Sequence, residues 1–252
     1  MNDVLMTFFD LGQYSQAPLP GNYNYWLVAL SYLVAFIASF TALKIFERAH
    51  RHRSVSQQRT WTLITAIVAG IGVWSMHFIG MIAFQLPVVV SHSIGLTLAS
   101  IAPAIIGNYF AYSLHLSADK LASFKRVRNQ VSSKTNILSG TILGAGIGLM
   151  HYLGMEAMQL NAELLYSPYW FATSIVIAVA LGILAMSTYS RSNTIRGAKS
   201  ELRKIQFVTA LIIAAAISGM HYVAMLAARF YANETTSSLT TGAQHQHLWL
   251  IY

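Results

Sequence analysis

The segment Met76-His77-Phe78-Ile79-Gly80-Met81 recurs twice in this chain, as Met150-His151-Tyr152-Leu153-Gly154-Met155 and as Met220-His221-Tyr222-Val223-Ala224-Met225. The shared pattern is Met-His-aromatic-x-(Gly or Ala)-Met, and the copies begin 74 and 70 residues apart. Each copy lies in a long apolar stretch, where a polar imidazole is costly and usually has a function. The repeated segment therefore indicates both a repetitive architecture and a candidate site.

The apolar stretches around the motifs are long enough to cross a bilayer. Of the 252 residues, 55% are hydrophobic and only 10% are charged, whereas about a quarter are charged in a soluble domain. Runs of this length predict transmembrane helices. Six spans are predicted, over residues 23–46, 61–86, 94–115, 136–160, 169–190 and 207–231. A further apolar run at 248–252 is too short to cross, and indicates either the start of a seventh helix or an interfacial tail.

The predicted fold is an all-α, polytopic membrane helix bundle. Residues 1–22 are expected to form an outer segment, residues 23–231 the six-helix membrane domain, and residues 232–252 an outer tail or the start of a further helix. Basic residues set the orientation, because 15 of the 16 Lys and Arg residues fall within 44–59, 120–134 and 191–204. Basic loops stay in the cytoplasm, so the N-terminus is expected outside. These loops are expected to meet anionic lipid headgroups and no nucleic acid.

The motif-bearing spans two, four and six all run from the inside to the outside. Their histidines follow the predicted span starts by 16, 15 and 14 residues, so at about 1.5 Å per residue their levels agree within about one helical turn. The chain therefore predicts three parallel two-helix repeats, each a motif helix and a returning helix, around an axis along the membrane normal. Small residues before each motif indicate close helix packing.

The motif spacing favours a metal site. Residues four apart share one helix face, which places each histidine beside the second methionine of its copy. The first methionine lies about 100° round the helix and would have to reach sideways. Imidazole and thioether ligands without cysteine favour copper. Haem held by two imidazoles and plain packing by methionine remain open alternatives.

Other polar residues have weaker assignments. Four lie near the outer ends of the motif helices, either to bond the second imidazole nitrogens or to sit at the interface: Gln85, Glu156, Gln159 and Arg229. The remaining histidines are assigned to the loops, the tail and the inner interface: His50, His52, His92, His115, His245 and His247. The absence of cysteine excludes disulfides and thiolate ligands.

Three Met-His-Tyr-type motifs on alternate helices of a six-span bundle resemble the MHYT domain of bacterial membrane sensors, over about residues 20–231. The resemblance includes Trp74-Ser75 before the first copy and the basic inner loops. It implies copper binding and the sensing of a diatomic gas such as O2, CO or NO. The implied ligands are Met76, His77, Met81, Met150, His151, Met155, Met220, His221 and Met225. The threonine of the family motif is replaced here by Ile79, Leu153 and Val223.

The resemblance implies a sensor module in the bacterial cytoplasmic (inner) membrane, signalling to a separate partner in the cytoplasm or the membrane. Family members often carry a diguanylate cyclase or phosphodiesterase domain, but the sequence contains no phosphate-binding loop or nucleophile constellation. We therefore expect no enzyme activity of this chain. A homo-oligomer is compatible with the sequence. The alternatives are a membrane carrier or channel for a metal or small solute, a haem-binding redox protein, and a structural subunit.

Overall fold

A computed structural model describes residues 6–52, 54–125, 128–194 and 199–232. The helices are α1 (Tyr25–Arg51), α2 (Val55–Ala83), α3 (Ile94–Ala99), α4 (Ile101–Lys125), α5 (Arg128–Glu156), α6 (Pro168–Thr194) and α7 (Lys199–Met225). Within these ranges six spans are long and apolar enough to cross a membrane, with α3 and α4 forming one of them. The prediction of a six-span helix bundle is confirmed. The predicted tail beyond residue 232, including the run at 248–252, lies outside the described residues.

We call the basic ends of the helices the inner ends and the opposite ends the outer ends. The helices extend further at their inner ends than the sequence predicted. Only residues 52–54, 126–127 and 195–198 separate the paired inner ends. Most of the basic residues assigned to loops therefore lie on helices, as Arg59 does on α2 and Arg203 does on α7. Lys and Arg are good helix formers, so nothing in these polar segments ends the helix when it leaves the apolar region.

The spans form a closed ring in the order α1, α2, α4, α5, α6, α7, and α7 packs against α1. The motif helices α2, α5 and α7 thus alternate with α1, α4 and α6. The motif helices also contact one another across the ring, where α2 meets both α5 and α7. This arrangement places the three motifs around a common axis.

Short β-ribbons cover the outer ends of the motif helices. The strands are β1 (Asn22–Tyr23), β2 (Phe84–Gln85), β3 (Val90–His92), β4 (Met158–Leu160), β5 (Ala162–Tyr166) and β6 (Ala228–Ala232), paired antiparallel as β1–β2, β3–β4 and β5–β6. The predicted outer ends of spans two, four and six were therefore wrong, because these helices end at Ala83, Glu156 and Met225. Pairing satisfies the backbone groups that the helices leave free near the apolar region.

The ribbons define a repeat that begins one helix earlier than the predicted one. The predicted repeat was a motif helix followed by the returning helix. β2 follows α2 and pairs with β1, which precedes α1, and the other two ribbons repeat this arrangement. Each structural repeat is therefore a helix without a motif followed by a motif helix: α1 with α2, α4 with α5, and α6 with α7. The six described spans make three such pairs.

Glycines let the helix backbones approach closely, as the small residues before the motifs indicated. A Cβ added to Gly144 on α5 would lie 2.7 Å from the carbonyl carbon of Ala178 on α6. On the other side of α5, a Cβ on Gly146 would lie 2.9 Å from the Cα of Gly107 on α4. Such approach maximises van der Waals packing, which drives helix association where lipid removes the hydrophobic advantage.

The N-terminal segment lies over the outer ribbons. The backbone N–H of Asp10 donates to the carbonyl of Tyr166 at 3.0 Å, and that of Leu19 donates to Phe230 at 2.7 Å. The Tyr231 hydroxyl donates to Asp10 at 2.8 Å. Burial and this carboxylate raise the pKa of Tyr231 to about 12. The segment thus adds a second layer above the motif helices.

Candidate metal centre

The three motif histidines meet on the axis of the bundle. The Nδ1 atoms of His77 and His221 are 3.1 Å apart, those of His77 and His151 are 3.2 Å apart, and those of His151 and His221 are 3.3 Å apart. Each imidazole is no more than 1% exposed. The equal depth that the spacing predicted therefore brings three imidazoles into one buried triad, and we call these residues the histidine triad.

No arrangement of protons gives all three Nδ1 atoms of the triangle a hydrogen-bond partner of their own. In neutral imidazole a ring nitrogen is either a donor or an acceptor, never both. One N–H can donate to one neighbour, which leaves either two lone pairs or two N–H groups facing each other. A cation is the one simple partner that accepts all three lone pairs at once. The three histidines are therefore placed so that they could hold a metal ion together.

The triangle has the size that a metal ion needs. A point equidistant from the three Nδ1 atoms lies about 1.8–1.9 Å from each, just under the about 2.0–2.1 Å of a zinc–imidazole bond. A small expansion of the triangle, or an ion slightly off its plane, reaches the normal bond length. The residues therefore fit a single ion of the zinc or copper size.

The motif glycines make room for the imidazoles of the neighbouring repeat. A Cβ on Gly154 would lie 2.8 Å from Cδ2 of His77, and one on Gly80 would lie 2.9 Å from Cδ2 of His221. Both Cβ atoms would lie closer still to the respective Nε2. The three Nε2 atoms of the triad are buried and have no hydrogen-bond partner within the described part of the chain. Two of the three imidazoles therefore pack against a motif glycine, and Ala224 stands at the equivalent position of the third copy.

The aromatic residue after each histidine packs against its ring. Phe78, Tyr152 and Tyr222 lie edge-on to their histidines, with ring centroids 4.8–4.9 Å apart. The Tyr152 hydroxyl is 2.6 Å from Oγ of Ser174 on α6, and that of Tyr222 is 2.8 Å from Oγ of Ser31 on α1. The aromatic rings thus surround the triad, and the two hydroxyl contacts link two motif helices to neighbouring helices of the ring.

The six motif methionines are all buried and fall in two groups. Met76, Met150 and Met220 belong to the main buried cluster of the bundle; we call them the inner methionines. The outer methionines pack in the second cluster, under the ribbons: Met81, Met155 and Met225. Helical side chains generally lean toward the N-terminus of their helix, so the outer methionines are expected to lean back toward the triad and the inner ones away from it.

The four polar residues near the outer ends do not bond the imidazoles, which leaves the interfacial alternative for them. Gln85, Gln159 and Glu156 are exposed, and Arg229 donates to the carbonyls of Leu226 and Ala228. None of them reaches an imidazole nitrogen of the triad, because the helices end and turn into ribbons before these positions.

Two other histidines are more buried than the sequence indicated. His115 is 1% exposed, and its ring lies 5.1 Å from that of Tyr189. His92 is partly buried on β3 beside Phe78, with ring centroids 5.7 Å apart, and burial lowers its pKa. Neither belongs to the triad.

Comparison with known proteins identifies relatives of the whole membrane domain. The sequence matches the family described as MHYT, bacterial signalling protein N terminal repeat, over residues 13–58, 70–125 and 144–198. It is 35% identical over 212 residues to the bifunctional diguanylate cyclase/cyclic di-GMP phosphodiesterase MucR of Pseudomonas aeruginosa, covering 84% of this chain and 29% of that protein. It is 31% identical over 232 residues to the cyclic di-GMP phosphodiesterase NbdA of the same organism, covering 89% of this chain and 28% of that protein.

A third relative is the signaling protein YkoW of Bacillus subtilis, 27% identical over 230 residues, which cover 91% of this chain and 27% of that protein. The chain spans less than a third of the length of these relatives. No solved structure matches it. Fold and site together define a multi-pass membrane protein built around a shared histidine cluster. Since the matched segments cover more than half of its residues, the chain belongs to the MHYT family of membrane signalling proteins.

Proposed function

We propose that this protein is a sensor in the bacterial inner membrane, with its N-terminus outside, and that the histidine triad holds one copper ion. The observation that carries the proposal is the triangle of Nδ1 atoms at 3.1–3.3 Å. A cation on the axis would take up the lone pairs of all three nitrogens, which hydrogen bonds among the three rings cannot do. A bound copper ion would supply a redox-active centre able to bind a diatomic gas such as O2, CO or NO.

The outer methionines favour copper over zinc. Thioethers are soft ligands that select copper, whereas zinc sites use nitrogen, thiolate and carboxylate ligands. Because helical side chains point toward the N-terminus of their helix, the thioethers of Met81, Met155 and Met225 are expected to lean toward the triad. No carboxylate belongs to the cluster among the described residues. The donor set is therefore three imidazoles with thioethers nearby.

The compact triad disfavours haem. Axial binding by two imidazoles places the macrocycle between them, but each pair of triad nitrogens is within hydrogen-bonding distance. Opening the gap for a porphyrin would force the motif helices apart against the glycine contacts of Gly80 and Gly154. A single ion needs no such rearrangement.

The motif helices can carry a signal to the inner face. α2, α5 and α7 are continuous from the triad to basic inner ends that include Arg59, Lys134 and Arg203. A change in the spacing of the imidazoles moves these helices as rods, because they are held together at their outer ends by the triad. The receiver is a separate cytoplasmic or membrane signalling partner that recognises the basic ends.

The test is the metal content of the purified full chain. Wild-type protein is expected to bind one copper per chain, measured by mass spectrometry after equilibration with a competing chelator. Each of His77→Ala, His151→Ala and His221→Ala is expected to lose it. The matched control is His115→Ala, which removes an equally buried imidazole outside the triad. Copper that is absent from the wild type, or retained by all three triad variants, would end the proposal.

A further inference from the structure

A cavity lies directly inside the histidine triad, on the axis of the bundle. Its upper lining consists of Val73, Ile147 and Ile217, each four residues before a triad histidine and therefore one turn inward on the same face. The next turn inward supplies three more lining residues, each eight before a histidine: Ala69, Leu143 and Ile213. The motif repeat thus builds the walls of this cavity as well as the triad.

The lining of the cavity is apolar. Besides Ser39, Asn108 and Tyr112, every residue that lines it is Ala, Gly, Val, Leu, Ile or Met. The side-chain amide of Asn108 already donates to the carbonyl of Ala104 on its own helix at 2.8 Å. No charged side chain is among the lining residues. Such a surface stabilises an uncharged apolar occupant and excludes an ion.

Side chains of two different kinds lie beyond the two ends of the cavity. The triad and the outer methionine cluster lie on the outer side. On the inner side, the rings of Phe46, Tyr112 and Tyr189 meet across the axis, with centroids 4.5 Å apart for Phe46 and Tyr112 and 5.2 Å apart for Phe46 and Tyr189. These rings come from α1, α4 and α6, the helices that carry no motif. The cavity thus lies between the triad and this layer of aromatic rings.

We propose that this cavity is a binding chamber for a small, uncharged, apolar molecule, which enters from the hydrocarbon of the bilayer between the helices and rests against the inner side of the triad. The cavity volume is about 40 Å³, counted as the space open to the centre of a water-sized sphere, and about 10–15 Å³ on that measure holds one water molecule. The cavity therefore has room for an occupant of only a few heavy atoms. Its role in signalling rests on the proposed function, because an occupant there lies beside the three imidazoles. Binding itself requires no metal.

Xenon is the probe of choice, because it binds apolar cavities that exclude water. The full chain, stripped of metal by a chelator, is expected to give a saturable bound-xenon signal in 129Xe NMR. Ala185→Leu adds three carbons to the cavity lining on α6 and is expected to reduce xenon binding severalfold. Ala180→Leu makes the same change on an exposed position of the same helix and is the matched control.

A second variant tests the opposite direction, in case the larger side chain prevents folding. Ile213→Ala removes three carbons from the lining and is expected to strengthen xenon binding. A wild-type protein without bound xenon, binding that is unchanged in both cavity variants, or a lipid acyl chain found to occupy the cavity would overturn the proposal. Xenon binding without copper binding would overturn only the proposed function, and copper binding without xenon binding would overturn only the chamber.

Discussion

Replacing Gly154 by alanine is expected to displace the imidazole of His77. The added Cβ would lie 2.8 Å from Cδ2 of that ring, whereas carbon atoms in contact are about 3.5–4.0 Å apart. The ring or helix α5 must therefore move by about 1 Å. Metal–ligand distances tolerate only about 0.2 Å, so the substitution takes one of the three nitrogens out of position.

The expected loss in copper affinity is at least about tenfold, the lower end of what is lost when the support of a metal ligand is removed. The overpacking costs about 1–3 kcal/mol of stability, and about 1 kcal/mol is recovered because alanine favours the helix over glycine. The protein should therefore still fold. Copper affinity is measured by titration against a chelator of known affinity, and folding by the thermal transition of the detergent-solubilised protein.

The control is Gly148→Ala on the same helix. A Cβ there meets nothing closer than 3.9 Å, at Ala178 and Ile175. This variant gains the same helix propensity and should bind copper as the wild type does. Gly80→Ala, whose Cβ would lie 2.9 Å from Cδ2 of His221, should repeat the loss. A folded Gly154→Ala protein with wild-type copper affinity would refute the steric reasoning.

Two further predictions concern the methionines and the orientation. Replacing the outer methionines by leucine should weaken copper(I) binding more than the same change in the inner methionines, since only the outer set is expected to lean toward the triad; each change should cost less than about 1.5 kcal/mol of stability. Equal effects of the two sets in a copper(I) competition assay would argue against outer thioether ligation. Because the chain has no cysteine, a single introduced cysteine reports on which side of the membrane it lies. Ser91→Cys on β3 tests the outer side, and Ser56→Cys on α2 tests the inner side. A membrane-impermeant maleimide should label Ser91→Cys and not Ser56→Cys in intact cells, and the reverse pattern would invert the topology.

The position of the histidines could be predicted from the sequence, whereas the direction in which each ring nitrogen points could not. Helical rise fixed the depth of His77, His151 and His221 from the chain alone. The role of Gly80 and Gly154 was missed, because each meets an imidazole from a different repeat. The spacing His-x-x-Gly in the first two copies could have indicated this role. The same spacing is also compatible with a glycine that only packs helices together.

The β-ribbons and the cavity depend on long-range contacts that leave no local pattern. β1 and β2 are two residues long and their register joins Asn22 to Gln85, so no alternation exists for a strand prediction to detect. The cavity is lined by the residues four and eight positions before each histidine. In the sequence these residues form an apolar helix face like any other, so they do not predict a cavity. Burial of His115 was missed because its helix extends inward to Lys125, beyond the predicted span.

X-ray absorption at the copper edge of the copper-loaded, purified protein tests the shared ion most directly. The account predicts about three imidazole nitrogens at about 2.0 Å around one copper per chain, and the loss of that nitrogen shell in His77→Ala. A copper bound mainly by oxygen, or a nitrogen shell that survives in His77→Ala, would contradict it.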